Sequence, residues 1–97
     1  MSNSGLTPYQ DELLTILVEE CGETIQEICK INRFGINSMS HHAPDQHHLA
    51  CLIQEIGDIM CMVELITEAD IGITEEKLWV AKERKREKVT KWMHHTK

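Results

Sequence analysis

Three apolar patterns of helical period run along this chain, separated by a polar loop and a short glycine-containing connection. The first starts at Thr7-Pro8-Tyr9-Gln10, where Thr as N-cap, Pro at the first helical position and Gln three residues after the Thr form a capping box. Nothing breaks it before about Arg33 except Gly22, which a helix tolerates at ~1 kcal/mol relative to Ala. Gly35 ends it, as a residue able to take positive φ. At about 100° per residue, Leu14, Leu17, Val18, Cys21, Ile25 and Ile28 share one stripe. Glu20, Glu23 and Glu27 flank that stripe, so the acids are expected to border the core.

Asn37 to Pro44 is a polar loop, the natural place for mobility. The second pattern is expected to begin near Pro44 or Asp45 and to run to about Glu68, with Cys51, Leu52, Ile59, Met62, Val63 and Ile66 as its stripe. Glu55 falls in the middle of that stripe and Asp58 on its edge. After Asp70-Ile71-Gly72-Ile73, Thr74 caps a third helix whose first turn holds Glu75 and Glu76, where the helix dipole favours them. Its stripe is Leu78, Ala81, Val89 and Trp92, with Lys82 and Lys85 on the same face. The predicted fold class is all-α: an antiparallel helical bundle of three main helices. At 97 residues and 11.2 kDa the chain makes one domain over 1–97, with its core at about 7–93. A core so small leaves apolar faces over, and these predict a homodimer or homotetramer.

Charge and composition narrow the function. The net charge of -6, from 16 acidic and 10 basic residues, argues against nucleic acid as a partner. No run of roughly 18 apolar residues exists to span a membrane, and the N-terminus lacks a basic-then-apolar signal pattern. A cytoplasmic protein is expected. Cys21, Cys29, Cys51 and Cys61 stand singly, without a Cys-x-x-Cys pair, and read as small buried apolar residues rather than zinc or redox groups.

The acids carry the chemistry. Glu19, Glu20, Glu23 and Glu27 crowd into nine residues, with Glu20, Glu23 and Glu27 on one strip of the helix. Stacked like charges repel, and a divalent cation removes the conflict. Glu55 and Asp58 offer a second pair at i, i+3, and a carboxylate on a core face needs a partner. Two facing helices with acids one turn apart suit a hard cation bound through oxygen, completed by substrate phosphates. A di-iron bundle would place His at the fourth position of each motif. Here those positions hold Glu23 and Asp58.

Glu19-Glu20-Cys21-Gly22-Glu23 and Glu55-Ile56-Gly57-Asp58 together resemble the Glu-Glu-x-x-Glu and Glu-x-x-Asp signature of the MazG-like nucleoside triphosphate pyrophosphohydrolases, in the all-α NTP pyrophosphatase superfamily. Lys30-Ile31-Asn32-Arg33-Phe34-Gly35 is similar to the segment that follows the first motif in small members. The resemblance spans about Leu13 to Lys91. It implies magnesium-dependent hydrolysis of a (d)NTP to (d)NMP and pyrophosphate, with Mn²⁺ as a substitute metal. Glu20, Glu23, Glu55 and Asp58 would hold the metal, and Glu19 and Glu20 would serve catalysis, Glu19 by binding metal or orienting the attacking water.

Lys30, Arg33, Lys82 and Lys85 are candidate substrate contacts. Lys82 and Lys85 qualify because an ammonium on an inner face needs an anion, although Lys30 and Arg33 also suit the dipole at a helix C-terminus. Helix three lacks the Asn that small members often carry there. Phe34 packs the helix end or stacks a base. His41, His42, His47 and His48 read as exposed loop polar groups, with a transition-metal site or a lid as alternatives. The rival functions are a relative specific for dUTP/dCTP or phosphoribosyl-ATP, and a non-catalytic helical adaptor that keeps the acids as a structural cation site.

Overall fold

The computed structural model describes residues 3–40 and 46–95 and contains three helices: α1 (Pro8–Phe34), α2 (His48–Thr67) and α3 (Glu75–Trp92). No strand occurs among the described residues, and their one β-bridge joins Met39 to His47. No helix among them is long and apolar enough to cross a membrane.

The expected helix starts are met at α1 and α3. Gln10 N–H donates to Thr7 Oγ1 at 3.2 Å while Thr7 N–H donates to Gln10 Oε1 at 2.9 Å, a reciprocal capping box. Thr74 Oγ1 accepts from Lys77 N–H at 3.1 Å. Gly35 closes α1 with φ of 98°, where a side chain would be strained, and its N–H reaches Ile31 O at 2.7 Å.

The start of α2 differs from the expectation. It begins at His48, and its N-cap His47 makes no side-chain capping bond. The preceding chain is bonded instead to the segment after α1: Ser40 N–H donates to Gln46 O, and His48 N–H to Ser38 O, each at 2.8 Å. Backbone groups committed across this connection are not free to start a helix earlier. Pro44 and Asp45, where the start was expected, lie outside the described residues.

Helices α1 and α2 pack along their lengths, while α3 touches the pair lightly and buries none of its residues. The core sits at one end of the pair. Leu13, Met62 and Ile66 are buried together, and Leu14, Ile16, Leu17, Leu65, Ala69, Ile71 and Ile73 pack around them. Gln10 Nε2 donates to Ala69 O at 2.7 Å, fastening the start of α1 to the turn after α2.

The stripe expected to bury α1 faces the other way over most of its length. Val18 is 70% exposed and Ile25 62%, with Cys21 and Ile28 exposed as well. The inward strip instead runs Leu13, Leu17, Glu20, Thr24, Glu27 and Ile31 at i+3/i+4 spacing. The acids therefore lie on the face that meets α2. On α2 the expected stripe holds at its C-terminal half, with Met62 and Ile66 buried, and a second apolar row (Leu49, Ile53, Ile56, Met60) is exposed.

Candidate metal centre

Halfway along the helix pair, α1 supplies Glu20 and Glu23 and α2 supplies Glu55. One carboxylate oxygen from each lies within 4.8 Å of the others. Spacings of three on α1 bring Glu20 and Glu23 to adjacent turns of one face, and Glu55 meets them from the facing helix. Glu20 Oε2 and Glu55 Oε2 are buried and accept no hydrogen bond. No Lys, Arg or His among the described residues pairs with any of the three.

Electrostatics record the crowding. The Glu55 carboxyl is pushed up from 4.5 to about 7, first by loss of water around it, then by a hydrogen bond shared with Glu23 and by the charges of Glu23, Asp58 and Glu20. The Glu20 carboxyl is also raised, by desolvation first, then by the charges of Glu23 and Asp58, a hydrogen bond with Asp58 and, least, the charge of Glu19. Asp58 thus stands beside Glu20 without joining the three convergent oxygens. Its Oδ1 accepts from Gln54 Nε2 at 2.8 Å, which fixes its rotamer one turn along α2. Glu19 is exposed at the rim.

Oxygen-only donors, two of them buried without partners, fit a hard divalent cation better than a soft one. Acidic side chains also gather on surfaces without binding anything. The distinguishing feature here is burial of bare oxygens between two helices, where each ionised group otherwise raises its neighbour's protonation.

A cavity of about 320 Å³ opens beside the cluster, lined by Glu23, Gln26, Glu27, Lys30, Ser40, Cys51 and Glu55. Lys30 is half-buried there, its Nζ 3.6 Å from Glu27 Oε1. Arg33 is exposed, its guanidinium 5.7 Å from the Phe34 ring centre. Lys82 and Lys85 are exposed too, which removes the argument that an inward ammonium demands an anion. Lys82 edges an apolar groove of about 440 Å³ formed with Ile59, Met60, Val63, Leu78 and Trp79. Lys85 Nζ lies 5.6 Å from the Trp92 ring centre.

Two residues have a place that the sequence reading did not give them. His48, expected in solvent, is fully buried, and its Nδ1 lies 3.0 Å from Oε2 of Glu27, itself buried. His47 is exposed, and His41 and His42 lie outside the described residues. The signal was present: Glu27 extends the Glu20/Glu23 strip by one turn, and His48 stands two turns before Glu55 on the same face of α2.

No protein-family model, no curated protein and no solved structure matches this chain. The resemblance to the MazG-like enzymes therefore rests on the sequence motifs alone.

Proposed function

We propose that this protein is a magnesium-dependent nucleoside triphosphate pyrophosphohydrolase, converting a (d)NTP and water to (d)NMP and pyrophosphate in the cytoplasm. The observation that carries the reading is the convergence of Glu20, Glu23 and Glu55 from two helices, with Glu20 Oε2 and Glu55 Oε2 buried and no protein cation among the described residues paired with them. Glu20, Glu23, Glu55 and Asp58 would hold Mg²⁺, or Mn²⁺ in its place. When bound, the cation neutralises triphosphate charge and makes a water nucleophilic at neutral pH.

The chain's own residues supply the rest. Glu19, exposed at the rim, orients the attacking water and accepts its proton. Water oxygen bonds to the α-phosphorus, the α–β anhydride bond breaks, and the electron pair leaves with pyrophosphate. Lys30, across the cavity from Glu55, meets phosphate oxygens by exchanging its pairing with Glu27. Arg33 and Phe34 border the same end, where a guanidinium and a ring face suit a phosphate and a base. Lys82 and Lys85 would reach substrate only as mobile surface cations.

The antiparallel α1–α2 pair is, in this reading, half of a larger bundle. The outward rows Val18, Cys21, Ile25, Ile28 and Leu49, Ile53, Ile56, Met60 each have the three-and-four spacing by which helices pack. They favour a homodimer or homotetramer. The same exposed rows also suit a helical adaptor whose acids hold a structural cation.

Pyrophosphate release from a panel of dNTPs and NTPs with Mg²⁺ separates the two. The enzyme gives release that EDTA and Glu55→Ala both abolish. The adaptor gives none, while Mg²⁺ still raises its melting temperature.

A further inference from the structure

The α1–α2 pair is held differently on the two sides of the acidic cluster. On one side Leu13, Met62 and Ile66 are buried together and Gln10 is bonded to Ala69. On the other side no apolar side chain among the described residues is buried. Between them lie four carboxylates whose mutual repulsion tends to part the helices. Among the described residues, the buried side chains beyond the cluster are Ser40, Glu27 and His48.

Glu27 is one turn past Glu23 on α1, and His48 is two turns before Glu55 on α2. Their polar atoms meet at 3.0 Å with His48 wholly removed from solvent. Hydrogen on Nδ1 makes the imidazole a donor to Glu27 Oε2 and leaves Nε2, buried without a partner, as a bare lone pair. The opposite tautomer would bury an unbonded N–H and set a lone pair against a carboxylate, so the first is favoured. The Phe34 ring lies against His48 with ring centres 6.4 Å apart and planes 17° apart. Lys30 takes the other Glu27 oxygen. Both oxygens of Glu27 and the imidazole plane are thereby fixed.

We infer that the Glu27–His48 pair is the clamp that holds α1 on α2 beyond the acidic cluster and so sets the spacing of Glu23 and Glu55 for a divalent cation. This rests on the metal reading proposed above. Neither residue belongs to the convergent set, and both are positioning residues. A buried charge-assisted bond across two helices fixes register where a slippery apolar contact would not. With the clamp gone, the carboxylates' repulsion at that end is opposed chiefly by the backbone bonds of the connection, Ser40 N–H to Gln46 O and His48 N–H to Ser38 O.

The test is Mn²⁺ affinity, read by electron paramagnetic resonance on the full chain, beside amide hydrogen exchange of the metal-free protein. His48→Phe keeps ring volume and the stack on Phe34 but removes the donor. It is expected to weaken Mn²⁺ binding at least ~10-fold, the scale on which residues behind metal ligands act. His48→Asn, which retains a donor near the place of Nδ1, is expected to restore affinity to within about threefold, less than one hydrogen bond is worth. Met62→Ala, at the apolar end, should lower the melting temperature yet change Mn²⁺ affinity less than about twofold. Exchange in His48→Phe should quicken in residues 24–33 and 48–55 while 10–17 stay protected.

Wild-type affinity in His48→Phe, equal loss in Met62→Ala, or quickening spread evenly along α1 would overturn the clamp. If the wild type binds no Mn²⁺, the proposed function falls, and the exchange pattern still decides the clamp. Should His48→Phe not fold, Glu27→Met, which removes the acceptor at similar length, is read in the same way.

Discussion

The two ends of the α1–α2 pair solve one problem, holding two helices together, by opposite means. At the Leu13/Met62/Ile66 end, burial of apolar surface does it without direction, and the contacts survive small changes of angle. At the Glu27/His48 end the contact is polar, directional and buried, so it tolerates little change. The acidic cluster sits between them and works against both. The means of cohesion thus change along the helix axis: apolar burial at one end, a directional polar bond at the other, and the carboxylates between them.

That separation can be broken most forcefully at Ile66, which is 2% exposed. Ile66→Ala should lower stability by ~2–5 kcal/mol, the range for truncating a buried aliphatic side chain, in urea denaturation. The same variant should bind Mn²⁺ as the wild type does at low temperature; a matching loss of affinity would show that the ends are not independent.

A smaller effect comes from the middle. Glu55 titrates near 7 in the folded protein against an ordinary 4.5. An acid whose folded value is raised lends stability that is complete below pH 4.5 and is lost as pH climbs through about 7. Without metal, the melting temperature should therefore fall across that window. The loss should be about 1 kcal/mol, well under what the shift alone would give, because the side chain still meets solvent. Glu55→Gln should flatten the slope, and added Mg²⁺ should reverse its sign, since the ion displaces the proton. A profile unchanged by the substitution would remove Glu55 as its source.

The smallest effect belongs to α3, outside the comparison. Lys85→Ala removes an exposed cation over Trp92 and should cost no more than ~0.5–1 kcal/mol. A larger drop in melting temperature would mean that α3 is packed in an assembly.

Much of the architecture was legible because it is written in local chemistry. The Thr7 box, Gly35 and the Thr74 cap each depend on a few neighbouring residues. The convergence of Glu20, Glu23 and Glu55 was legible for a similar reason, since an acid amid the apolar row of α2 marks the face that meets α1. The inward face of α1 was not. That helix carries apolar residues on two sides, and a count of hydrophobicity favours Val18, Cys21, Ile25 and Ile28 over a strip filled with acids. Periodicity finds the side with most apolar side chains, and at a site built from carboxylates that side is the wrong one. His48 was missed because, although its register with Glu55 on α2 was readable, its burial also depends on backbone bonds of Ser38 and Ser40 across the connection.

The position of the apolar core has a consequence for how the chain folds. Glu27 and His48 are 21 residues apart, whereas Gln10 and Ala69 are 59 apart. Closing the shorter loop first carries the lower entropic penalty, so a hairpin zips outward from its connection. In this chain that order brings the carboxylates face to face before the core can reward the approach. That order should make the early barrier electrostatic, so that protons, which neutralise the carboxylates, should speed refolding of the metal-free protein.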